Sequence, residues 1–290
     1  MVALEAIVTG AVDALASSLR LERTNAGSHQ VIILRGLEAP ELLEPLATYV
    51  LAAGIGQVVG IDLAISADLL GSGPAFEEEL RTQVERVLGA NCSVSEEFRR
   101  TRRDPWITEC LAHLLLKLSS ALGNLDSSGA LISLTSVHTD VTAHGIDLLG
   151  LRLRDMLLTL DVTEVKASED DPSRMASDTA GVFSEVDEGK RDPEIRQKVQ
   201  LLRTALSEAE QALVTASFWR GGRVFMAVVS YGSRVSFTPS TNRPAYASLA
   251  SSPDAVRLLA IPIADFRRFY DSLADRVRAL VPRISGTAEH

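Results

Sequence analysis

The 290-residue chain is 46% hydrophobic, 23% charged and only 5% aromatic, with a net charge of -9. It is long enough for a sizeable aliphatic core in one large domain or two small ones. The acidic balance argues against a constitutive nucleic-acid binder, which carries a basic field, and no apolar run reaches the eighteen or so residues of a membrane span. The first residues, Met1 to Val8, place no basic region before their apolar run, so a secretory signal is not expected. Cys92 and Cys110 have neither a disulfide framework's number nor zinc-ligand spacing, and a reducing cytoplasm is the expected compartment.

Residues 1–20 are small and apolar at helical spacing and predict a helix. Residues 30–35 read as a strand closed by Gly36, residues 40–53 as a helix entered on Pro40, and residues 58–65 as a second strand. Glycines 54, 56 and 60 precede that strand instead of following it, which rules out a dinucleotide loop. A turn at 71–74 leads to an amphipathic helix over 75–88. Arg99, Arg100, Arg102 and Arg103 form either a solvated charge run or a phosphate-contacting patch. Asp104 is expected to cap a helix with Pro105 in its first turn, running to about Leu122 and carrying Glu109 and His113 one turn apart. His113 reads as a structural histidine. Residues 130–137 predict a strand, and His138 and Asp140 read as a polar loop despite their ligand chemistry. His144 is equally a turn residue or a substrate contact.

Residues 144–166 predict a hairpin of two apolar strands around an Arg154-Asp155 turn. Alternation puts Glu164 and Lys166 on one face and Val165 on the other. With that turn, position 147 opposes position 162, so Asp147 lies diagonal to Glu164 on the same face. Two carboxylates and an ammonium on an apolar hairpin are costly to bury unless they serve a purpose. A hard cation such as Mg²⁺, with Mn²⁺ as a substitute, takes such ligands: Asp147, Glu164 and the main-chain carbonyl of Val165 offer a half-shell. Lys166 would then orient or deprotonate a water, its pKa lowered by the ion. A similar spacing of Asp62, Glu79 and Arg81 is rejected, because residues 75–88 have helical periodicity and Arg does not readily give up a proton.

Beyond the hairpin, residues 168–193 are polar and acidic without clear periodicity and predict a mobile loop. Residues 194–218 predict one long helix, 223–230 a central apolar strand, 256–262 another strand, and 263–281 a closing helix rich in arginine, with a frayed tail after Pro282. The order is that of an α/β fold with a mixed sheet.

Gly145-Ile146-Asp147, followed by Glu164-Val165-Lys166 on the next strand, resembles the PD-(D/E)XK, or restriction-endonuclease-like, superfamily. Asp147 matches its strand-entry Asp, and Glu164 and Lys166 its Glu-x-Lys; Glu109 stands for the acidic residue on the preceding core helix. Ile146 replaces the proline that names the motif. Residues 104–109, 144–150 and 163–167, with the helix and strand after them, resemble the HamA family, nuclease subunits of Hachiman anti-phage defence, over roughly residues 95–280. The resemblance implies a restriction-endonuclease-like core over 91–290, its central mixed sheet flanked by helices, and a Mg²⁺-dependent DNA nuclease with catalytic Asp147, Glu164, Lys166 and Glu109. It also implies a helicase partner that restrains the nuclease until DNA is engaged. Residues 1–90 match no part of that family and are expected to form an N-terminal α/β region facing a partner. Two alternatives stand beside this reading: a non-catalytic DNA-binding or regulatory subunit that keeps the fold, and an exposed strand-end ion pair in an unrelated α/β protein.

Overall fold

A computed structural model describes residues 4–56, 73–90, 94–123, 129–141, 145–216, 218–249 and 255–285. Helix α1 (Leu4–Ser18) leads to the hairpin β1 (Arg20–Ala26) and β2 (His29–Arg35). A 3-10 turn at Pro40–Leu42 opens α2 (Leu43–Gly54), and α3 spans Pro74–Leu88. One continuous helical run then comprises α4 (Glu96–Phe98), a π-helical turn (Arg99–Arg103) and α5 (Asp104–Lys117), followed by α6 (Ser119–Leu122). Strands β3 (Ala130–Leu134), β4 (Leu148–Arg154) and β5 (Leu157–Ser168) come next, then helices α7 (Pro172–Asp187), α8 (Asp192–Arg203) and α9 (Glu208–Leu213). The chain closes with β6 (Arg223–Gly232), α10 (Pro244–Ala247), β7 (Val256–Ile263) and α11 (Phe266–Ser285).

The seven strands form one mixed sheet in the order β1-β2-β7-β6-β5-β4-β3. Its centre, β2 to β5 through β7 and β6, is parallel; both margins are antiparallel. Helices cover both faces, so the parallel strands are near-continuous apolar runs, as in β6 (Arg-Val-Phe-Met-Ala-Val-Val-Ser-Tyr-Gly). Side-chain alternation divides the core in two. Val165, Val228 and Leu259 pack with α1, α2, α3, α5 and α11; Val162, Val229 and Leu258 pack with α7, α8 and α10. Strands from either side of residue 90 share this one sheet, because β2 pairs with β7. No described helix is long and apolar enough to cross a membrane.

Several expectations need correction. Residues 168–193 are not a loop: α7 occupies most of them, capped by the Asp171 carboxylate on the Arg174 N–H, with Pro172 in its first turn. It buries Met175, Ala176, Thr179, Ala180, Phe183 and Val186, one helical face whose small residues hid the period. The expected long helix over 194–218 is two, broken where Ser207 starts α9 with a capping box to Glu210. Asp104 is no cap. Ser95 caps the run, and Asp104 lies within it, its N–H donating five residues back to Arg99. That wider π turn gives room to Pro105, whose ring would crowd a carbonyl in a regular helix interior. Strand β1 escaped prediction because it is a charged, exposed margin strand, Arg-Leu-Glu-Arg-Thr-Asn-Ala. The strand predicted over 130–137 ends at Leu134, and the closing helix continues through Pro282 to Ser285. The strand predicted at 58–65, His144 and Cys92 lie outside the described residues.

Candidate metal centre and active-site cleft

The β4–β5 hairpin turns on Asp155 and Met156, both at positive φ (49° and 63°), the geometry of a two-residue type I′ loop. The turn therefore sits one residue later than predicted. Leu148 pairs with Thr163, which brings position 147 opposite Glu164 instead of 162. A shift of two in the pairing keeps side chains on the same face; Asp147 lies one residue before the paired strand, and the ligand atoms that converge with it come from Glu109 and His138 instead of Glu164.

Asp147 stands at the entry to β4, where its Oδ2 accepts the Val165 N–H at 2.6 Å. Glu164 is almost wholly buried; its Oε1 accepts the Lys166 ammonium at 2.5 Å, and its Oε2 is buried with no hydrogen-bond partner among the described residues. From the opposite side α5 presents Glu109, also buried, whose Oε1 accepts the His138 N–H at 2.8 Å and whose Oε2 lies 3.2 Å from His138 Nδ1. The Trp106 indole pins this loop by donating to the His138 carbonyl at 2.7 Å. One ligand atom from each of Glu109, His138 and Asp147 falls within 4.8 Å of the others. The preference for a polar loop at His138, over the ligand role its imidazole allowed, therefore missed a member of the cluster. Asp140 lines the cleft without joining the cluster.

The cleft has a volume of about 700 Å³ and is lined by Glu109, His138, Asp147, Val165 and Lys166, with Arg100 and Arg102 among its rim residues. Both arginines are exposed, and among the described residues neither side chain has a hydrogen bond or ion pair. Arg99 and Arg103 instead bind Asp271, and Arg103 also Asp104. The four-arginine run thus divides into a structural pair and a free pair.

Crowding of negative charge shapes the electrostatics. Burial, then the Glu164 and Glu109 carboxylates, push Asp147 up to about 8, against the pull of Lys166 and the Val165 N–H. Burial likewise raises Glu164, although Lys166 opposes it. Burial pulls the Lys166 ammonium down, but the charge and hydrogen bond of Glu164 outweigh it and leave Lys166 above its ordinary value. The hydrogen bond that His138 gives to Glu109 raises His138, against burial.

Other residues singled out in the sequence fall outside this centre. His113 is fully buried, 2.7 Å from the Tyr49 hydroxyl, and is structural as expected. Glu79 is exposed on α3, in keeping with the rejection of the second motif. Two more charges on the hairpin, Arg152 and Asp161, passed unremarked in the sequence; they are wholly buried and bind each other at 2.5 Å.

The donor set suits a divalent cation. Three side chains of ligand type converge, the carboxylates repel one another, and a buried Glu164 oxygen has no partner among the described residues. Carboxylates suit Mg²⁺ or Mn²⁺, and an imidazole among them also admits later transition metals such as Zn²⁺. No protein-family model matches the chain, and no curated protein matches it in sequence.

Proposed function

We propose that this protein is a metal-dependent phosphodiester hydrolase with a restriction-endonuclease-like core, and that its substrate is DNA. The more particular reading is a nuclease subunit like HamA of Hachiman defence, cytoplasmic and controlled by a helicase partner that brings the DNA. The observation that supports it is the convergence of Glu109, His138 and Asp147 in one cleft that Lys166, paired with Glu164, also lines.

Asp147, Glu109 and His138 would hold the cation, with Glu164 and the Val165 carbonyl adjoining. The cation, when bound, supplies Lewis-acid stabilisation of charge developing on the phosphate. The protein does the rest. The Val165 N–H fixes the Asp147 carboxylate. Glu164 holds Lys166, whose protonated amine would hydrogen-bond a phosphate oxygen or orient the attacking water. Arg100 and Arg102 would take flanking phosphates, providing a local basic rim on an acidic protein.

Cleavage of plasmid and single-stranded DNA in Mg²⁺ or Mn²⁺ tests this directly. Glu164→Gln and Lys166→Met should each lose about 100-fold or more of the activity while retaining the fold. Undiminished cleavage by the double variant would overturn the assignment. The close engagement of Lys166 with Glu164 is the one observation that favours a non-catalytic DNA-binding or regulatory subunit. Calorimetry that detects DNA binding but no Mg²⁺ or Mn²⁺ binding would establish that second reading. A helicase encoded beside this gene would support the defence assignment.

A further inference from the structure

Helix α8 grips the chain immediately before Asp147. Glu194 and Lys198, one helical turn apart on a shared face, take both polar groups of a single residue. Glu194 Oε1 accepts the Ile146 N–H at 2.7 Å, and the Lys198 ammonium donates to the Ile146 carbonyl. The two side chains also face each other at 3.7 Å. The Ile146 side chain is fully buried in the same core as Ile195 and Val199 of α8. Glu194 is braced in turn: its Oε2 accepts from Arg191 at 3.2 Å, and Arg191 donates to Glu185 at 2.7 Å.

Two features of the Gly145-Ile146-Asp147 motif follow from this grip. Gly145 has φ +148°, and a Cβ there would stand 2.5 Å from Glu194 Oε1. Only glycine lets the carboxylate approach. At position 146 a proline would have no N–H to offer Glu194, which gives a physical reason for isoleucine where the superfamily motif has proline. Neither Glu194 nor Lys198 lines the cleft. Glu194 reaches it through the Ile146 backbone; Lys198 does so as well, and its charge also lowers His138.

We propose that Glu194 and Lys198 are positioning residues that set Asp147, and through it the Asp147–Val165 hydrogen bond, in the geometry a cation requires. This rests on the metal-centre reading, so its test has one arm that does not. In the full-length protein, Glu194→Ala should weaken Mn²⁺ binding by calorimetry about 10- to 100-fold, the usual cost of losing a group that orients a ligand. It should also speed hydrogen exchange at the Val165 amide, which Glu194 does not touch. Glu194→Gln, which keeps a carbonyl oxygen for the Ile146 N–H, should restore both. Folded Glu194→Ala with unchanged Mn²⁺ affinity and unchanged Val165 exchange would overturn the proposal. If Glu194→Ala does not fold, Lys198→Met probes the same peptide from its carbonyl side. Weaker Mn²⁺ binding and faster Val165 exchange in that variant support the proposal, and no change in either overturns it. If the wild type binds no Mn²⁺, the metal reading fails, and Val165 exchange alone decides whether α8 positions Asp147.

Discussion

Arg152 Nε donates to Asp161 Oδ2 at 2.5 Å with neither side chain exposed, on the same hairpin that carries the candidate metal centre. Arg152 also donates to the Gly129 carbonyl at 3.0 Å, tying the hairpin to the chain before β3. Removing one member leaves a buried charge without its counter-ion, which costs about 3–5 kcal/mol. Arg152→Leu should therefore lower the urea midpoint sharply. The double variant Arg152→Leu/Asp161→Leu should recover much of the loss, and a double-mutant cycle in urea measures the coupling.

Asp147 carries a different kind of strain. Its carboxylate is pushed up by burial and by two neighbouring carboxylates, so the charged form is disfavoured in the folded protein. Asn can still accept the Val165 N–H. Asp147→Asn should raise metal-free stability at pH 8 by on the order of 1–2 kcal/mol, discounted for partial solvent screening, while abolishing divalent-ion binding. Thermal melts with and without Mn²⁺ read both effects.

Arg100 and Arg102 offer an ionic-strength test. Each phosphate contact contributes about 0.7–0.9 to the slope of log affinity against log salt. The Arg100→Ala/Arg102→Ala variant should reduce that slope by about 1.5 for DNA, measured by fluorescence anisotropy in an inactive Lys166→Met background. Its melting temperature should not move, since neither side chain is bonded within the described fold.

His113 makes stability pH-dependent. Burial, and then the charge of Lys117, lower it from 6.5 to about 3. Between those values the unfolded chain binds a proton that the folded protein refuses. The contribution is fully present above pH 6.5 and is lost as pH falls toward 3, at about 1.4 kcal/mol per pH unit. Urea titrations at pH 7, 6 and 5 should show this slope, and His113→Asn should flatten it.

Much of the architecture was legible because burial writes itself into periodicity. Strands β5, β6 and β7 and helices α2, α3 and α11 all carry continuous or amphipathic apolar patterns, and their boundaries moved by only a few residues. The failures have physical causes. In α7, Ser, Thr, Ala and Gly fill positions where larger apolar residues would have advertised the inward face. In β1, burial is too slight to impose alternation. The hairpin face was legible despite a misplaced turn, since parity and not exact pairing decides which side chains meet. The third member of the metal cluster was not legible. His138 reaches Glu109 only through the packing of α5 against the strands, a relationship no local spacing encodes. Arg152 and Asp161 show the converse: they are the most deeply buried charges of the hairpin, yet they neutralise each other away from the cleft.

The π-helical turn at Arg99–Arg103 sets a phase between two parts of the molecule. Each residue of an α-helix advances about 100° around its axis. Deleting one residue there removes the room that Pro105 uses, so regular winding also requires Pro105→Ala; the paired change would rotate Ser95, Glu96 and Arg100 about a quarter-turn relative to α5 and break the Glu96–Arg267 contact. Glu109 lies downstream and is tethered to His138, so it would keep its place. The paired change would thus turn Arg100 away from its place on the cleft while sparing the carboxylates, so the proposed contacts to a polyanion and to a cation could be varied separately.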